Sequence, residues 1–161
     1  MVLTYKEFIL RDWQLGDRQA AATLIEQVLA EYGLGWEPTG TDRDAVAVET
    51  YYQQAGGEFW VVEQAGTIVG TGGYYPVPRG DRAVEIRKMY LQPAVRGCGL
   101  GSFLLAQLEG AIAARGYRTI WIETASVLAA AVSLYENRGY QAAAGGETPR
   151  CDRLYVKYLS P

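Results

Sequence analysis

This chain has no histidine. A Ser-His-Asp triad and a histidine-ligated zinc are therefore excluded at once. Its two cysteines, Cys98 and Cys151, lack metal-ligand spacing, and they indicate neither a metal site nor a disulfide framework. That usage fits a reducing compartment, so the expected location is cytoplasmic. No apolar run approaches the roughly 20 residues that a membrane span needs. The opening Met1-Val2-Leu3-Thr4-Tyr5-Lys6-Glu7 does not read as a signal peptide, and no membrane partner is expected. Basic excess is also missing. Lys and Arg number 15 against 18 Asp and Glu, a net charge of −3 that gives no support to nucleic acid as a partner.

What is present suits one globular domain over residues 1–161, 49% hydrophobic and 20% charged. Basic residues gather only at Arg79, Arg82, Arg87, Lys88 and Arg96, which reads as a local anion site. Residues 8–10 predict a short first strand. Ala21, Leu24, Ile25, Val28 and Tyr32 recur at helical spacing and predict an amphipathic helix stopped at Gly33 and Gly35. A capping arrangement at 41–44 opens a second helix carrying Ala45, Val48 and Tyr52, which Gly56-Gly57 ends. Strands at 59–63 and 67–75 join at Ala65-Gly66, a hairpin signal. After a turn-rich link comes a strand at 83–91. Leu100, Leu104, Leu108, Ala111 and Ile112 form the stripe of a third helix ending at Gly116. A strand at 119–124 follows, then a helix at 130–137 closed by Gly139. Extended structure from Tyr140, a loop at 145–149 and a final strand at 154–159 complete the order. Hairpins mixed with crossover helices predict an α/β (α+β) fold with a mixed sheet.

Between the 83–91 strand and the third helix stands Arg96-Gly97-Cys98-Gly99-Leu100-Gly101. A strand, a glycine turn and a helix start leave free backbone N–H groups, which is a place to hold phosphate. A dinucleotide-binding fold would carry its glycines after the first strand, with an acidic residue about 20 positions later. A P-loop needs a Lys directly after its last glycine, and none follows Gly101. A plain connector, with glycines that only permit positive φ, is the remaining rival.

The segment Val95 to Gly101 resembles the acyl-CoA signature of the GNAT superfamily of N-acetyltransferases, with Arg96 first and Gly99 and Gly101 at the small positions. Ala131-Val132-Ser133-Leu134-Tyr135-Glu136-Asn137-Arg138-Gly139-Tyr140 resembles the second signature of that superfamily. The resemblance implies a single GNAT-type domain: a twisted, mostly antiparallel mixed sheet of six to seven strands flanked by about four helices. It implies acetyl-CoA as co-substrate, no metal, and transfer to an amine of a small molecule, amino acid or peptide in a ternary complex. The amides of Gly97, Cys98, Gly99, Leu100 and Gly101 would take the pyrophosphate, with a Cβ at Gly99 or Gly101 pushing it out. Arg96 is the side-chain charge placed to help, or else a surface Arg at a turn. Ser102 would donate its hydroxyl or cap the helix. Main-chain groups of Met89, Tyr90 and Leu91 would pair with the pantetheine arm, and an N–H near Met89 or Tyr90 would face the thioester oxygen.

By the same resemblance Glu85 is the candidate general base and Glu123 the second, while a pair with Arg87 is the rival role for Glu85. Simple alternation puts Glu85, Arg87 and Met89 on one face and Ile86, Lys88 and Tyr90 on the other, unless a bulge intervenes. Tyr135 is the candidate general acid, since a phenol is protonated at neutral pH. Relatives often carry Asn where this chain has Leu128, and Ser126 is the nearest substitute contact. Cys98 could have a covalent role, because a helix N-terminus lowers a thiol pKa. For the acceptor, Trp36, Tyr74 and Tyr75 could wall a pocket, and Arg79, Arg82 or Arg150 could hold a carboxylate, with the 145–151 segment contributing. The Tyr- and Leu-rich final strand could pair across a homodimer. Rival functions are transfer of a longer acyl group, an oxygen acceptor, or a silent acyl-CoA sensor.

Overall fold

The computed structural model describes residues 1–146 and 149–160. Its strands are β1 (Val2–Tyr5), β2 (Phe8–Asp12), β3 (Glu58–Gln64), β4 (Thr67–Pro76), β5 (Ala83–Leu91), β6 (Thr119–Thr124), β7 (Gln141–Ala143) and β8 (Arg153–Tyr158). Its α-helices are α1 (Arg18–Glu31), the single turn α2 (Arg43–Val46), α3 (Leu100–Ala114) and α4 (Ala129–Asn137). The strands form one sheet in the order β1-β2-β3-β4-β5-β6-β8-β7. Neighbours are antiparallel except β5 and β6, which run parallel because α3 carries the chain back across the sheet between them.

The α3 stripe makes one face of the core. Leu100, Leu104, Leu105, Leu108 and Ile112 pack on Tyr74, Val84, Ile86, Ile120 and Ile122, all buried. On other parts of the sheet Trp13, Ala21, Val48, Tyr52, Phe59 and Val61 form a second cluster, and Ile25, Leu29 and Ala45 of α1 and α2 a third. Alternate residues of β5 and β6 thus enter the α3 core, and the residues between them are left for the opposite side.

Two elements differ from the sequence expectation. A strand at Val2–Tyr5 precedes the expected first one, so the sheet has eight strands. Its turn, Lys6-Glu7, has no glycine; Lys6 itself takes a positive φ of 53°. The second helix is broken. α2 ends where Ala47 adopts φ −138°, and Glu49–Gln53 forms a separate π-type turn. The apolar periodicity there was real, since Ala45, Val48 and Tyr52 are all buried, but tertiary packing achieves it with two short turns.

Candidate active site

β5 and β6 pair only from Ala83↔Thr119 to Ile86↔Ile122. Beyond Ile86 they part, and the fork holds a small cavity bordered by Met89, Tyr90, Glu123, Leu128, Tyr135 and Cys151. Met89, Tyr90, Leu128 and Ala131 are also walls of a larger cleft that runs to Gly97, Gly99, Gly101 and Ser102. On the other side Tyr90, Glu123 and Cys151 border a pocket floored by Glu85, Arg87 and Arg150. The glycine-loop cleft, the fork and the charged pocket thus adjoin one another through shared walls across the sheet.

A bulge shapes the fork. Thr71 is opposite Tyr90 and Gly73 opposite Arg87, so Gly72 faces two residues of β5, and Lys88 takes φ 54°. The expected alternation is therefore corrected. Met89 turns to the α3 core, while Lys88 and Tyr90 join Glu85 and Arg87 on the opposite side. The bulge also orients a donor. Thr71 Oγ1 donates to the Lys88 carbonyl at 2.7 Å. In a planar trans peptide the next N–H points the opposite way, so the Met89 N–H is directed from β4 toward the fork.

The glycine loop sets up a row of donors. Gly97 and Gly99 take φ 81° and 88°, and Gly99 caps α3. The first intrahelical bond is Phe103 N–H to the Gly99 carbonyl. Among the described residues, the amides of 97–102 donate to no main-chain carbonyl. Free amides, the positive end of a 15-residue helix and the adjoining cleft fit a diphosphate. Ser102 borders this cleft; Leu100 contributes only its backbone, because its side chain is in the core.

Several side chains stand differently from expectation. The Arg96 guanidinium donates to both Glu31 oxygens at 2.7 and 2.9 Å and to the Leu91 carbonyl at 2.8 and 3.0 Å. Its charge is thus committed to tying α1 to the end of β5. A Cβ built at Gly99 would meet the Tyr5 hydroxyl at 2.5 Å, and one at Gly101 would meet Leu134 at 3.5 Å. Glycine at 99 is thus required by its φ and by the neighbouring tyrosine, whatever the cleft holds. Cys98 Sγ donates to the Val95 carbonyl at 3.3 Å and does not border the cleft. Ser126 is turned away, its amide and hydroxyl both donating to Asp152 at 2.6 and 2.7 Å.

Glu85 is 3% exposed and accepts from Arg87 Nη1 at 3.0 Å. Burial pushes its carboxyl above the usual range; Arg87 opposes the shift, and Glu123 adds to it. Glu123 lies on the same side of β6, with Arg79 Nη2 at 3.7 Å. Tyr135 is 4% exposed, borders the fork, and donates to none of the described residues. Burial pushes its phenol up, with Tyr90 and Cys151 adding, so it keeps its proton across the neutral range.

The charged pocket rests on Asp42 and Asp44, two acids of the 41–44 segment whose sequence pattern signals only a helix start. Asp42, 0% exposed, accepts from Arg150 at 2.7 and 2.8 Å and lies 3.2 Å from Lys88 Nζ. Asp44 lies 3.1 Å from Lys88 Nζ and 3.4 Å from Arg87 Nε, and accepts from the Tyr52 hydroxyl. Burial pushes Asp42 up, but Arg150 and Lys88 outweigh it and hold the carboxyl below its usual range. The pairing of acidic 42 and 44 with basic 87 and 88 joins segments far apart in the chain, so no local pattern signals it.

Of the acceptor candidates, Tyr75 borders a pocket with Thr41, Arg43, Asp44, Tyr51 and Arg87. Tyr74 does not; it is buried in the core and hydrogen-bonded to Glu58. Trp36 packs on the Ile25–Leu29–Ala45 cluster. Arg150 holds the chain's own Asp42, and Arg82 donates to the Gly116 carbonyl at 3.3 Å. Of the 145–151 segment, residues 147–148 lie outside the described residues. β8 pairs with β6 on one side and, along Leu154–Val156, with β7 on the other; the β7 pairing stops short of Lys157 and Tyr158.

The fold and the fork define an acyltransferase class. The model of the acetyltransferase (GNAT) family matches residues 22–140, most of the chain, and the chain belongs to that family. It is 37% identical over 136 residues to an uncharacterized N-acetyltransferase of Escherichia coli, YjgM, covering 83% of this chain and 81% of that protein. A solved acetyltransferase from Streptococcus agalactiae superposes with TM-score 0.87 at 22% identity, over 96% of this chain and 100% of that one. A GNAT superfamily phosphinothricin acetyltransferase from Sinorhizobium meliloti, solved in complex with acetyl-CoA, superposes with TM-score 0.74 at 20% identity, over 95% and 89% of the two chains.

Proposed function

We propose that this protein transfers an acetyl group from acetyl-CoA to a primary amine of a small molecule, amino acid or peptide, within a ternary complex at the β5–β6 fork. The observation that carries this reading is the row of adjoining cavities: free amides at one end, buried carboxylates at the other, and Tyr135 in the wall of the fork between them. Solved structures of the same fold are known with acetyl-CoA.

In this reading the amides of 97–102 and the Ser102 hydroxyl take the diphosphate, and the exposed edge of Met89, Tyr90 and Leu91 pairs with the pantetheine amides. Ser126 is left out, since Asp152 engages it. Leu128 and Ala131 supply apolar cover where relatives carry Asn. The Met89 N–H stabilises the charge that develops on the thioester oxygen. Glu85 accepts the proton of the attacking amine, directly or through water, and its raised pKa brings it nearer the pH at which it works. Glu123, close enough to influence Glu85, helps hold the incoming ammonium. Tyr135 gives its proton to the leaving thiolate.

The test is release of free thiol from acetyl-CoA across amino acids, polyamines, aminoglycosides and peptides. Release stimulated by at least one amine, with the acetylated amine found by mass spectrometry, is the expected result. Coenzyme binding without stimulated release by any of them would favour a silent sensor, and preference for a longer acyl donor would displace acetyl-CoA.

A further inference from the structure

The N-terminal hairpin reaches the glycine loop. Tyr5, the last residue of β1, donates its hydroxyl to the Cys98 carbonyl at 3.0 Å. Lys6, at the hairpin turn, donates from Nζ to the same carbonyl at 2.8 Å. The Tyr5 ring stacks on Phe103 in the first turn of α3, centroids 4.6 Å apart. These residues are 92 and 93 positions from Cys98 in sequence, so the contact is wholly tertiary.

One carbonyl held by two donors fixes the orientation of its peptide plane. In a trans peptide the C=O and the following N–H are antiparallel. With the Cys98 carbonyl turned to the hairpin, the Gly99 N–H points away from it. Gly99 borders the cleft. At φ 88° this peptide has no helical neighbours on its N-terminal side to hold it, so the hairpin supplies the restraint.

We infer that Tyr5 and Lys6 are positioning residues of the coenzyme diphosphate site: they clamp the Cys98–Gly99 peptide with its N–H presented to the cleft. The inference rests on the reading of residues 97–102 as the diphosphate cradle.

The experiment is calorimetric titration of coenzyme A into the full chain and into Tyr5→Phe, Lys6→Gln and the double variant, with KM and kcat for acetyl-CoA alongside. Losing a restraint worth one hydrogen bond weakens binding about threefold to tenfold. Each single variant should show that loss, falling on Kd and KM more than on kcat. A core control, Ile120→Val, distant in sequence from the loop and fully buried, should lower stability without that change in Kd. Kd values within twofold of the parent in both single variants, or an equal loss in Ile120→Val, overturn the clamp. A parent protein that does not bind coenzyme A overturns the cradle reading itself, and the clamp with it.

Discussion

Alanine at position 99 creates two separable costs. The first is conformational: Gly99 holds φ 88°, and an L-residue in the left-handed region costs about 1–2 kcal/mol. The second is local contact, because the new Cβ would stand 2.5 Å from the Tyr5 hydroxyl. Relief requires Tyr5 to move and give up its bond to the Cys98 carbonyl, a loss of about 0.5–1.5 kcal/mol. Gly99→Ala should therefore destabilise the fold by about 1.5–3.5 kcal/mol, or roughly 3–14 °C in Tm for a domain of this size. Tyr5→Phe removes the oxygen in the way. In that background the second cost has already been incurred, and Gly99→Ala should add only the conformational part. A double-mutant cycle by urea unfolding should then give a coupling of about 1 kcal/mol, the double variant being more stable than the sum of the singles. Strictly additive losses would show that residue 99 and Tyr5 do not touch, and the account of the loop would fail.

Further outcomes follow from the site. The acid limb of kcat/KM should have an apparent pKa above the ordinary 4.5 of glutamate, since Glu85 is shifted upward by burial; Glu85→Gln should remove that limb and lower kcat by about 10²–10⁴-fold. The same shift acts on stability. An acid whose pKa is raised in the folded state favours folding below its unfolded pKa and loses that contribution as pH rises through the folded value, so Glu85→Gln should flatten this part of the pH–stability profile. Tyr135→Phe should lower kcat with little change in coenzyme affinity by calorimetry, whereas weakened binding at unchanged turnover would remove it from the proton path. Asp42→Asn should cost about 3–5 kcal/mol in urea unfolding, because Arg150 and Lys88 lose a buried partner. Asp42 is held below its usual range, so its contribution is present above pH 3.8 and lost as pH falls through the lower folded value.

Much of the frame was readable from residue order. The stripe Leu100, Leu104, Leu108 and Ile112 is the core face of α3, and Ala65-Gly66 does turn the β3–β4 hairpin. Both are local patterns with one strong solution. The glycine loop was legible as a strand-to-helix turn with free amides for the same reason. What was not legible depends on contacts between distant segments. No local rule reveals that Lys88 is the extra residue of a bulge, since Lys is no turn former, yet that residue decides which side chains share the pocket with Glu85. Arg96 looked available because its partner Glu31 lies 65 residues away. The β1 hairpin escaped because Tyr5-Lys6-Glu7 lacks any glycine or asparagine, although it is the segment that meets Cys98.

The central claim is that the β5–β6 fork seats the thioester between the glycine loop and the charged pocket. A crystal structure with acetyl-CoA tests it most directly. The account predicts the diphosphate on the amides of 97–102, the thioester oxygen toward the Met89 N–H, the sulfur facing the Tyr135 hydroxyl, and the acetyl group open to Glu85. A coenzyme bound outside these cavities, or with its acetyl group walled off from Glu85 and Glu123, would contradict it.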